Sequence, residues 1–180
     1  PIINKNKGMT YVELIVVLGI FAVMSSIVIY NYGGFQAKVD MKNLASDIAL
    51  KIVEAQKSSL SGNLPPSGAF LGKPSYGVHF DASDTKKFIY FANLNSDSND
   101  VYDDGSDWGD TVYINQNAFI SGVSCDGTAV DYVDIVFRRP DSRANMLKCF
   151  GGNAIITVAS PRSVATATIT IFPSGRIQVN

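Results

Sequence analysis

The stretch "KGMTYVELIVVLGIFAVM" (residues 7–24) decides how the chain is read. Nearly all of it would dissolve in hydrocarbon, yet Glu13 lies inside it, and an ionised side chain at the centre of a bilayer helix costs about 2.5–3.5 kcal/mol even on lenient scales. From Leu14 to Tyr30 no charge occurs over 17 residues. With Met9–Val12 counted, about 22 residues can lie in the membrane, enough for a helix to cross roughly 30 Å. Lys5 and Lys7 precede the run and the next Lys is Lys38. Positive flanks stay on the cytoplasmic side, so the amino end is expected inside and the rest outside. A cleaved secretory signal would have a shorter apolar core and an A-x-A-like site. Here "YNYGGFQAKVD" follows instead. The chain opens on Pro1 rather than Met, so one or more residues are expected ahead of it.

Downstream, "FQAKVDMKNLASDIALKIVEAQKSSL" (35–60) reads as an amphipathic helix. Ala37, Met41, Leu44, Ile48, Ile52 and Ala55 recur at spacings of three or four, while Lys38, Asp47, Lys51, Glu54 and Lys57 fall mainly off that stripe. No proline interrupts Met9 to Leu60. If the two parts join, the helix has about 52 residues and a length of roughly 78 Å. Gly33-Gly34 is its expected weak joint, and "SGNLPPSG" (61–68) ends it.

Short strands follow. "YGVHFD" (76–81), "KKFIYFAN" (86–93), "TVYI" (111–114) and "VDIVFRR" (133–139) are candidates, with Val133, Ile135 and Phe137 on one face. In "VATATITIF" (164–172), Ala165, Ala167, Ile169 and Ile171 point one way and Thr166, Thr168 and Thr170 the other. "FPSGRIQV" (172–179) closes as a hairpin. The expectation is an α+β chain: segment 1–8 as a leader, 9–32 as a membrane helix, 33–60 as its amphipathic continuation, and 61–180 as a β-rich globular head.

Net charge is −1, so no global field favours nucleic acid. Local asymmetry is larger: residues 81–110 hold eight Asp against two Lys, and residues 120–180 hold six Lys/Arg against four Asp. The two cysteines, Cys125 and Cys149, are too few for a four-ligand zinc site. If the head lies outside the cytosol they are expected to form a disulfide; otherwise they are two buried thiols.

Catalytic patterns are thin, and no enzyme is expected. His79 is the only histidine, set by alternation opposite Tyr76, Val78 and Phe80 and so expected on a wetter face. "GVSCD" has Asp126 where a nucleophile elbow needs its second Gly, and "GAFLGKP" (68–74) is one residue short of a phosphate loop. "NSDSNDVYDDGSDWGD" (95–110) alternates oxygen donors as calcium loops do, with Asn95, Asp97, Asn99 and Asp103 as candidate ligands. It lacks the glycine and the glutamate of an EF-hand, and a solvated hairpin loop is the plainer reading. No other cofactor is indicated. Arg138, Arg139, Arg143, Lys148, Arg162 and Arg176 could contact phosphates, or be a scattered solvated surface.

The opening segment resembles the class III leader of type IV prepilins and type II secretion pseudopilins. In that signature a short basic leader ends in Gly, an apolar residue and often a Thr follow, and a Glu stands at the fifth mature position. Gly8, Met9, Thr10 and Glu13 occupy those places, with Met9 where Phe is most common. The resemblance implies that a prepilin peptidase cuts between Gly8 and Met9 and that Met9 is N-methylated. The new amine would pair with Glu13 of a neighbouring subunit, held in the cytoplasmic membrane until an inner-membrane assembly platform extracts it into a filament. The remainder resembles the minor pseudopilin H and FimT-like minor pilin group, which implies a helix packed on a two-sheet head. Asn93 stands where that group commonly has Asp. FimT-like proteins can bind DNA through a basic carboxy-terminal region. Arg176 in "SGRIQV" matches part of it, and Gln178 stands where more basic members place another Arg. Two functions are therefore expected: a structural pilin or pseudopilin subunit whose partners are other pilins and membrane lipid, or alternatively a DNA-capturing minor pilin.

Overall fold

The structure is a computed structural model that describes residues 8–65, 74–94, 100–114, 117–161 and 163–180. It is an α+β fold: one long amino-terminal helix, α1 (Tyr11–Ser61), then two antiparallel sheets. The start of α1 is written in "TYVE". Thr10 is the cap: its Oγ1 accepts the Glu13 N–H at 3.3 Å and its carbonyl accepts the Leu14 N–H at 3.1 Å. Thr followed three residues later by Glu is the capping-box spacing. The end is a Schellman turn. Gly62 adopts φ +64°, its N–H reaches the Ser59 carbonyl, and the Asn63 N–H reaches Ser58. Arg139 Nε donates to the carbonyls of Ser59 and Leu60, satisfying acceptors that the helix itself leaves open. The helix runs without a break through Gly33-Gly34, the expected weak joint.

The chain divides into two units, Pro1–Gln36 and Ala37–Asn180. In the first, the large apolar side chains from Met9 to Phe35 are all exposed. This stretch of α1 is apolar enough, and α1 long enough, to cross a membrane.

In the second unit α1 buries Met41, Ala45, Ile48, Ile52, Ala55 and Ser59, a strict alternation of four and three. Ala37 and Leu44, expected on this stripe, are only half-buried at its margin. Ala45, next on the stripe after Met41, is fully buried in the core. One sheet has the order β3-β2-β1-β6-β7, built from β1 (Ser75–Asp81), β2 (Lys87–Asn93), β3 (Trp108–Tyr113), β6 (Tyr132–Phe137) and β7 (Ala144–Met146). The other has the order β10-β9-β8-β4-β5, built from β4 (Phe119–Cys125), β5 (Thr128–Ala129), β8 (Ala154–Ala159), β9 (Thr166–Ile171) and β10 (Ile177–Val179). A single core joins the helix stripe to both: Val78, Phe80 and Ile135 from the first sheet, Ile156, Ile169 and Ile171 from the second.

Alternation in β9 holds as expected, with Ala167, Ile169 and Ile171 buried and the threonines outward. The closing hairpin pairs Ile171 with Ile177, and Gly175 takes φ +83° in its turn. Two expected strands shift: the one placed at 111–114 begins at Trp108, and the one placed at 133–139 stops at Phe137, freeing Arg138 and Arg139 for other partners. Gly77 in β1 is required by close approach. A Cβ there would lie 2.7 Å from the Ile135 carbonyl and 2.8 Å from the Phe91 ring.

Cys125 at the end of β4 and Cys149 just beyond β7 form a disulfide with Cα atoms 5.1 Å apart. The bridge therefore ties the edge of one sheet to the other.

Candidate functional site

The first candidate is the start of α1. Gly8, Met9 and Thr10 precede the helix and are exposed, and Glu13 occupies its first turn. Carboxylates are favoured there by the unpaired N–H groups of the helix end, by about 0.3–1 kcal/mol at exposed positions. That is well short of the cost of burying the charge in lipid. Among the described residues no basic side chain forms an ion pair with Glu13. The arrangement is a carboxylate at the head of an exposed apolar helix, two turns of sequence or less from the Gly8–Met9 bond.

The second is the outer face of the first sheet. His79 does lie opposite Tyr76, Val78 and Phe80 and on the wetter face, its side chain 17% exposed against 0–3% for those three, but that face is partly covered. Residues 100–107 fold back across it. Tyr102 lies tilted against His79 at 5.2 Å and against Phe91 at 5.2 Å between ring centroids, and Tyr132 flanks His79 at 5.8 Å. His79 Nδ1 is 2.6 Å from Oδ1 of Asp134, a residue 1% exposed on the neighbouring β6. Among the described residues the second carboxylate oxygen of Asp134 has no hydrogen-bond partner. Residues 100–107 thus form a strap over part of this face, which alternation along a strand cannot foretell.

In the described part of the acidic segment, Asp100, Asp103 and Asp107 are engaged by backbone N–H groups and side chains of the fold. Asp100, 2% exposed, accepts hydrogen bonds from Arg138 Nε and Asn145 Nδ2. Asp103 accepts from the Gly105 N–H at 3.1 Å and the Ser106 hydroxyl at 2.8 Å, and these bonds hold its carboxyl below the usual carboxylate range. Asp107 accepts from the N–H groups of Leu94 and Asp103. Asn95, Asp97 and Asn99, the other candidate calcium ligands, lie outside the described residues. Among those described, no three His, Cys, Asp or Glu side chains converge as a metal site.

Tyr102 reports on the strap. Burial, and then its hydrogen bond to Asp104, push the phenol from 10.0 up to about 12. A raised phenol pKa means the fold favours the neutral form. That contribution is complete below pH 10 and is lost as pH rises through about 12. Asp81, Asp103 and Asp141 have the opposite sign: hydrogen bonds depress them, so what they contribute is lost as pH falls through their lowered values. Subtracting the ultraviolet alkaline titration of Tyr102→Phe from that of the parent should leave one tyrosinate transition near pH 12. A difference curve centred near 10 would mean that the strap does not cover the ring.

Among the described residues the candidate phosphate contacts are each held by a partner in the fold. Arg138 meets Asp100, Arg139 the end of α1, and Arg143 meets Asp141. Lys148 lies over the Tyr132 ring at 4.6 Å and Arg176 over the Phe172 ring at 3.9 Å. Arg162 lies outside the described residues. Arg138 and Arg143 line one cleft of about 420 Å³, with Asn145, Phe150 and Pro173. Sequence reading missed the Asp134–His79 pair and the strap, because neither partner of either contact is near the other in sequence. The Thr10–Glu13 capping spacing was legible and is the signal that places Glu13 on the first helical turn.

The chain matches no known protein family, no curated protein and no solved structure.

Proposed function

We propose that the chain is a structural subunit, a minor pilin or pseudopilin of a type II secretion or type IV pilus-like machine. The observation that carries the reading is an exposed apolar helix of membrane-crossing length that begins with Glu13 in its first turn and leads into a disulfide-bonded α+β head. Such a helix cannot remain in water. Contiguous apolar surface of that extent marks a lipid or protein interface. Before assembly its occupant is the cytoplasmic membrane, with the amino end inside and the head outside; after assembly it is the helices of neighbouring subunits. Prepilin peptidase cuts between Gly8 and Met9, Met9 is methylated, and the new amine of one subunit pairs with Glu13 of the next. The disulfide fits a head that matures in an oxidising compartment.

Intact-mass measurement of the chain purified from its native membrane tests this. The expected species begins at Met9 and carries one methyl group on its amine. A chain that retains the residues up to Gly8 would overturn the reading.

A further inference from the structure

The two edges of the first sheet differ in chemistry. Beside β3 runs an open groove of about 420 Å³ between that strand and α1, lined by Leu44, Leu50, Val112 and Tyr113. Leu50 is 65% and Tyr113 77% exposed. The groove carries Asp47 and Glu54 on its helical wall, with Lys51 already paired to Glu54 at 2.9 Å. At the opposite edge, beyond β7, the chain turns through Leu147, Lys148, Cys149 and Phe150. Phe150 is 86% exposed, Leu147 is 38% exposed, and Lys148 adds positive charge beside them, Arg143 being paired with Asp141. Cys149 is buried and bonded to Cys125, so the turn holds Phe150 outward on a covalently fixed base, with Lys148 beside it over the Tyr132 ring.

We infer that the Leu147–Phe150 turn of one copy seats in the α1–β3 groove of a second copy, Phe150 against Leu44, Leu50 and Tyr113, and Lys148 toward Asp47. Three features select a second copy as the occupant. The projection is apolar with Lys148 beside it, and the groove is apolar with Asp47 on its wall, a charge match that favours encounter and fixes orientation. The projection is preorganised by the disulfide, which lowers the entropy lost on docking. Both halves lie on one chain at opposite edges of one sheet, so the contact is head-to-tail and repeats from copy to copy. The inference deepens the subunit reading by naming what its head meets, and it involves no residue before Leu44.

The test uses the full chain in its native membrane with Glu13→Ala in every copy, so that helix pairing through Glu13 plays no part. One copy carries the photo-crosslinking residue p-benzoylphenylalanine at position 113, and the other carries a tag. Illumination should join position 113 to the 143–150 peptide of the tagged copy. Lys148→Glu in the tagged copy should reduce that product several-fold, and Asp47→Lys in the crosslinking copy should restore it. No product, a product joining position 113 to position 113, or a product indifferent to both substitutions overturns the inference. A retained leader in the mass measurement would sink the subunit proposal and leave this product unchanged, so the two failures are distinguishable.

Discussion

Glu13→Ala should leave the chain in the membrane and the head folded while abolishing its recovery in sheared filaments. At about 4 Å and an effective dielectric near 20, an amine–carboxylate pair is worth about 4 kcal/mol. Losing it corresponds to roughly a thousandfold change in an association constant. The structure adds a competing role that must be separated from this one. Glu13 is also the third residue after a Thr cap, where Glu or Gln serves the helix start equally. Glu13→Gln therefore decides between them. Gln keeps the capping geometry and removes the charge, so it should fail as completely as Ala if the carboxylate is a counter-ion. Recovery by Gln would assign Glu13 to the helix end alone. Immunoblotting of filament and membrane fractions reads both variants, with circular dichroism of the purified full chain as the folding control.

Removing both cysteines, Cys125→Ser with Cys149→Ser, should cost the head about 2–5 kcal/mol. At the size of this chain that is a fall of roughly 4–20 °C in melting temperature. The bridge spans a sequence separation of 24 and joins β4 of one sheet to the turn after β7 of the other. Its removal therefore frees both the unfolded chain and the tie between the two sheets. Thermal melts of the oxidised protein and the double variant measure the difference. Coincident melts would show that the core alone fixes the two sheets. The double variant should also lose the proposed cross-link from position 113, because Lys148 and Phe150 would no longer stand on a fixed base.

Much of this architecture was legible because it is periodic. The three-four spacing through Met41, Ile48, Ile52 and Ala55 could only be a helical stripe, and the Ala-Thr-Ile alternation of β9 only a half-buried strand. The strands that were missed break period. β8, "AIITVA", is nearly all apolar because it is the central strand of its sheet, so alternation is muted. β4, "FISGVSC", carries a register shift between Ile120 and Gly122, which puts its two halves out of phase. β7 has three residues and exists only because β6 offers it an edge. For the candidate site the division is similar. Gly8, Thr10 and Glu13 form a local pattern and were readable. The Asp134–His79 contact depends on two strands 55 residues apart, and the burial of Asp100 depends on a loop reaching Arg138 and Asn145. Sequence spacing carries no trace of such contacts.

The cap at Thr10 has a consequence for cutting the chain. From Tyr11 onward the backbone is wound, and opening even one turn means breaking its hydrogen bonds. Gly8 and Met9 lie just outside that winding. If the chain is processed as proposed, a protease at the membrane surface would meet the Gly8–Met9 bond outside the helix and need melt none of it, and the severed end would stand almost at the tip of a finished helix.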